Sequence, residues 1–144
     1  MSELVSILLV DDNADDVELT LSALRKTKMA NHVTVVGDGV EAMKYLRNEG
    51  QYSSAPEPSL VLLDLNMPKK DGREVLAEMK ADLRLRKIPV VILTTSESEE
   101  DITKSYDLHA NCYVSKPVDL SQLVKVVQTL EHFWFGIVKL PPSK

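Results

Sequence analysis

Four short apolar runs in this chain each end in residues able to do polar chemistry. Ile7-Leu-Leu-Val10 runs into Asp11-Asp12, and Leu60-Val-Leu-Leu63 into Asp64. Val90-Val-Ile-Leu93 runs into Thr94, and Cys112-Tyr-Val114 into Ser115-Lys116. Three carboxylates held a few ångströms apart repel one another by roughly 1–4 kcal/mol per pair. Such a cluster either raises a pKa or holds a cation. Magnesium takes oxygen ligands, commonly one or two carboxylates together with waters and phosphate oxygens. Lys116 adds a mobile point charge and Thr94 a hydroxyl. A carboxylate nucleophile beside a metal, a lysine and a hydroxyl suits the uptake of a phosphoryl group as an acyl phosphate. The plainer alternatives are a loop cap at Asp64 and a structural salt bridge between Lys116 and one of the acids.

That chemistry requires the four run ends to meet, which is a demand on the fold. The run Leu60–Leu63 shows no polar alternation, so it reads as a strand buried on both faces, as in a parallel sheet. In open α/β sheets the ligand crevice lies beyond the carboxyl ends of the strands. In chain order, Val5–Val10 forms the first strand. Asn13 caps the helix after it, with Asp15 and Asp16 favoured in its first turn by the helix dipole, and Val17, Leu21 and Leu24 form its core-facing stripe. His32–Val36 is the second strand, and Gly37-Asp-Gly39 turns into a helix carrying Ala42, Met43 and Leu46. Residues 50–58 read as a long loop and as the chain's most flexible stretch.

After the third strand, Gly72 starts a helix lined by Val75, Leu76, Met79 and Leu83. Ile88-Pro89 opens the fourth strand, where a proline at the first position is tolerated. Ser98–Leu108 is an acidic helix with a thin stripe of Ile102 and Tyr106. Cys112–Ser115 is the fifth strand, and the last helix spans about 119–133. Alternating strands and helices imply parallel neighbours and right-handed crossovers. The expectation is an α/β domain of five βα units, doubly wound in three layers with strand order 2-1-3-4-5, the flavodoxin-like arrangement. Its switch point lies between the first and third strands, where Asp11-Asp12 faces Asp64.

Bulk properties remove several function classes. A chain of 144 residues with 44% hydrophobic and 27% charged residues is ordinary for one globular domain. The net charge of −5, without a Lys/Arg cluster, argues against nucleic acid. No apolar stretch approaches the ~18 residues needed to cross a bilayer, and Met1-Ser-Glu-Leu4 lacks signal-peptide features. The single cysteine fits a reducing, cytoplasmic setting. His32, His109 and His132 have no metal-ligand spacing, and Cys112 reads as a small buried apolar group. The acidic run Glu97–Asp101 reads as a solvated helix start.

Asp11-Asp12, Asp64 with Met67-Pro68, Thr94 and Lys116-Pro117 together resemble the motif set of the receiver domains of two-component response regulators. The resemblance covers residues 1–131 as a receiver domain and leaves 132–144 as a C-terminal extension, with no output domain. It implies that Asp64 is the phosphoacceptor. Asp12, Asp64 and the main-chain carbonyl of Asn66 would hold Mg²⁺ or Mn²⁺, with Asp11 holding one of the metal's waters. It further implies that Thr94 hydrogen-bonds the phosphoryl group, that Lys116 pairs with it, and that Tyr113 is the aromatic switch residue. The expected activity is signalling rather than catalysis, with a histidine kinase as donor and a downstream protein as reader. The loop at 50–58, the segment Thr94–Glu100 and the tail opening Phe133-Trp134-Phe135 also resemble a narrower group, the single-domain regulators paired with cyanobacterial phytochrome-type kinases. That tail, followed by Ile137, Val138 and Leu140, is the candidate homodimer contact. A Mg²⁺-dependent phosphohydrolase of the haloacid dehalogenase type would carry a second acid two residues after the nucleophile, where Asn66 stands. A partner-binding pseudo-receiver would have lost an active-site residue.

Overall fold

A computed structural model describes residues 5–25, 31–64, 72–94 and 112–115, with Val5, Asn31, Thr94 and the last stretch described by their backbone alone. Five strands, β1 (Val5–Val10), β2 (Asn31–Val36), β3 (Leu60–Asp64), β4 (Val90–Thr94) and β5 (Cys112–Ser115), form one sheet in the order β2-β1-β3-β4-β5. Every neighbouring pair is parallel. The doubly wound α/β architecture and its strand order are those the apolar runs implied.

The sheet is held by what its strands bury. All five residues of β3 are buried, and Leu60, Val61, Leu62 and Leu63 are fully so. Each such side chain contributes on the order of 1.5–3 kcal/mol relative to exposure. Successive strand residues point to opposite faces. On one face Leu8, Val10, Val61, Leu63, Val90 and Ile92 share a core cluster with residues of the second and third helices. On the other, Ile7, Leu9, Leu62, Val91 and Leu93 are equally buried.

The helices begin where caps satisfy their first N–H groups. Helix α1 (Ala14–Arg25) starts after Asn13, whose Oδ1 accepts the Asp16 N–H at 2.9 Å. Its buried residues are Thr20, Ala23 and Leu24, while Val17 and Leu21 are half-buried. The inward face is therefore rotated toward Thr20 and Ala23, two small residues outside the stripe of large apolar side chains. Thr20 is tolerated because its hydroxyl donates to the Asp16 carbonyl at 2.9 Å. Helix α2 (Gly39–Leu46) starts after Asp38, whose carboxylate accepts the Glu41 N–H at 2.8 Å. Helix α3 (Gly72–Ala81) buries Val75, Leu76 and Met79.

Two expectations are corrected. Leu83 is 71% exposed, because α3 ends at Ala81 and the stripe ends with it. Asp82 then takes the Arg84 and Leu85 N–H groups on one carboxylate oxygen, turning the chain into a 3-10 turn at Leu85–Lys87 that buries Leu85 instead. β4 opens at Val90, since Ile88 closes that turn and Pro89 contributes only its carbonyl, to the Val61 N–H. Residues 50–58 form a tethered segment with a 3-10 turn at Gly50–Tyr52. Asn48, at φ 56°, donates through Nδ2 to the carbonyls of Tyr52 and Ala55. Tyr52 packs edge-on against Tyr45 and donates its hydroxyl to Glu41 at 2.8 Å. The helices expected at 98–108 and 119–133 and the tail from Phe133 lie outside the described residues.

Candidate functional site

The register of the sheet brings the acids together. β1 and β3 pair in step through Val10 and Leu63, so Asp11 and Asp64 are each one residue past that pair. Neighbouring strands lie about 4.8 Å apart, and residues opposite one another share a face. A ligand oxygen from each of Asp11, Asp12 and Asp64 lies within 4.8 Å of the others. Among the described residues these are the one such group of three.

The three acids differ in surroundings. Asp11 is 2% exposed and Asp64 4%, whereas Asp12 is open to solvent. Two buried carboxylates and one exposed one make a cup with a floor and an open lip. The backbone holds it from two sides. The Asp11 N–H donates to the Val36 carbonyl at 3.0 Å, which ties the end of β1 to the end of β2. The Asn13 N–H donates to Asp11 Oδ1 at 2.9 Å, which sets the orientation of that carboxylate. The spacing of the acids did not disclose the second contact. Its signal is Asn13 itself, which reads from sequence only as a helix cap.

Thr94 closes β4 one residue beyond Leu93, which pairs with Asp64, and it pairs with Ser115 of β5. Backbone register thus puts Thr94 and Ser115 at the same carboxyl edge as the acids. Tyr113 pairs with Ile92, two positions back from that edge. Asn66, Lys116, Phe133, Trp134 and Phe135 lie outside the described residues.

All-oxygen donors, carboxylate and close together, suit a hard divalent cation such as Mg²⁺ or Mn²⁺ and suit softer metals poorly. Without a cation, the like charges would repel any anionic donor approaching Asp64. With the charge offset, the same arrangement can present one carboxylate oxygen to a phosphorus atom.

Comparisons with known proteins agree with this arrangement. The family model of the response regulator receiver domain matches residues 7–128. The response regulator Rcp1 of Synechocystis sp. is 48% identical over 137 residues, covering 95% of this chain and 93% of its own. The crystal structure of the phosphorylated cyanobacterial phytochrome response regulator RcpA superposes with a TM-score of 0.81 at 53% identity, over 92% of this chain and 95% of that one. The Mn²⁺-bound form of Rcp1 superposes with a TM-score of 0.79 at 45% identity, over 97% of each chain.

Proposed function

This chain belongs to the response regulator receiver domains, and from that premise we propose that Asp64 accepts the phosphoryl group of a histidine kinase and thereby switches the protein. The observation that carries the assignment is the meeting of Asp11, Asp12 and Asp64 within 4.8 Å at the carboxyl end of the fully buried central strand. Asp64 closes β3, a strand paired with β1 on one side and β4 on the other, so its backbone has a defined position at the site. One of its oxygens attacks the phosphorus of a phosphohistidine. The P–N bond breaks, the imidazole leaves with the electron pair, and an acyl phosphate remains on Asp64. Asp12, the Asp64 carboxylate and the Asn66 carbonyl would hold the divalent cation, with Asp11 holding one of its waters. When bound, Mg²⁺ offsets the charge of the acids and of the incoming phosphoryl oxygens.

Thr94 and Lys116 complete the phosphoryl contacts in this reading, and Tyr113 follows Thr94 when it shifts. The new charge and acceptor oxygens supply the differential contacts that a population shift requires. The kinase is of the phytochrome type, supported by the likeness to Rcp1 and to the phytochrome response regulator RcpA. Residues 1–131 are the receiver. The tail at Phe133, Trp134 and Phe135 joins two copies as a homodimer, a reading carried by its apolar sequence.

Intact-mass measurement after incubation with acetyl phosphate tests the assignment. Wild type gains one phosphoryl group with Mg²⁺ and none with chelator, and Asp64→Asn gains none. Equal labelling of both proteins overturns it.

A further inference from the structure

Beyond the acids themselves, we infer that Asn13 is a positioning residue for the metal cup, setting the Asp11 carboxylate through the cap of α1. The inference rests on the acid cluster being the cation site.

Three contacts converge on residue 13. Its carbonyl accepts the Val17 N–H at 3.0 Å, the first bond of α1. Its side-chain Oδ1 accepts the Asp16 N–H at 2.9 Å. Its own N–H donates to Asp11 Oδ1 at 2.9 Å. The first two lock the backbone of Asn13 onto the helix, and the third passes that fixed position to the carboxylate. On the other side of the turn, the Asp11 N–H is anchored to the Val36 carbonyl at 3.0 Å. Asp12 lies between these two anchors, so one short turn aims two of the three acids.

The physical need is specific to a cluster of like charges. Carboxylates a few ångströms apart drive each other away when no cation is present, and a free side chain would swing outward. A donor aimed at one oxygen of Asp11 opposes that swing before the cation arrives. The side chain at 13 thus acts on the metal through the backbone and touches no reacting atom. Disturbing a group in the outer shell of a metal site weakens binding by roughly 10–100-fold. Asn13→Ala keeps the donating N–H and loses only the cap, so about tenfold, the low end, is expected.

The test is the Mg²⁺ dissociation constant by calorimetry, with the metal alone as probe. Asn13→Ala and Asn13→Gln, which cannot close the cap, bind Mg²⁺ about tenfold more weakly. Asn13→Ser restores the cap with a shorter acceptor and returns affinity to within about threefold of wild type. Leu24→Val, which loosens the buried face of α1 without touching the cap, lowers melting temperature and leaves Mg²⁺ affinity unchanged. Wild-type affinity in Asn13→Ala and Asn13→Gln overturns the inference alone. Equal weakening in Leu24→Val does the same, since the effect then follows helix stability. No Mg²⁺ binding by wild type overturns the reading of the acid cluster and the inference with it.

Discussion

Two polar regions of this molecule treat charge in opposite ways. At the carboxyl edge of β1 and β3, three like charges are gathered within 4.8 Å, two of them buried. Around the C-terminal ends of α2 and α3, charges are matched. Arg84 donates to the Glu57 carboxylate at 3.2 Å and to the Leu46 carbonyl at 2.8 Å. Arg47 meets Glu78 at 3.1 Å, linking α2 to α3. Asp82 takes two backbone N–H groups, which hold its carboxyl below the usual range, the nearby Arg84 adding to the effect. Tyr52, which donates to Glu41, titrates above the ordinary phenol, through burial first and the carboxylate second. The second region stabilises itself. The first is completed by something it binds, and that contrast separates a site from a scaffold more sharply than residue type does.

The contrast can be broken by experiment, and the largest effect belongs to the cation. Mg²⁺ at a hundredfold excess over its dissociation constant raises the unfolding free energy by about 2.7 kcal/mol, read by denaturant titration with and without chelator. No shift would mean that the acids need no counter-charge. Next comes Arg84→Ala. It loses a charge-assisted hydrogen bond worth about 1.5–3 kcal/mol and an exposed ion pair worth about 0–1 kcal/mol. The expected loss of stability is about 2 kcal/mol, with phosphoryl uptake unchanged. A loss of uptake there would join the two regions.

A smaller effect has the opposite sign. Asp12→Asn removes one like charge and raises the stability of the metal-free protein by about 1 kcal/mol, less at high salt, while weakening Mg²⁺ binding. A destabilised variant would show that Asp12 is structural. The smallest effect is the pH dependence of Asp82. Its carboxyl is depressed in the folded state, so its contribution is complete above the unfolded pKa and is lost as pH falls through the lower folded value. Asp82→Asn therefore costs stability at neutral pH, and the gap from wild type closes in acid. A gap of constant size between neutral and acid pH would remove the carboxylate from the account.

Legibility followed the range of the interactions. β1 and β5 were read with the bounds they have and β3 to within its last residue, because each is a short run closed by a polar residue. Leu83 misled because helical spacing continues past Ala81, while the Asp82 carboxylate draws the next N–H groups into a turn. Residues 50–58 have the composition of a loop, which says nothing of what anchors it. Their ties are to Asn48, Tyr45, Glu41 and Arg84, residues outside the segment.

The sequence by itself determined which acids stand at strand ends and that those strands are buried, since both are written in the order of neighbouring residues. Periodicity alone also set the parallel alternation of strands and helices. Only the tertiary structure decided the register that sets Val10 beside Leu63, that Asp11 and Asp64 are buried while Asp12 is not, and that the Asn13 N–H donates to Asp11. These depend on register between strands far apart in the chain and on the angle at which α1 leaves β1. A slip of one residue in that register would send Asp64 to the other face with every local pattern unchanged.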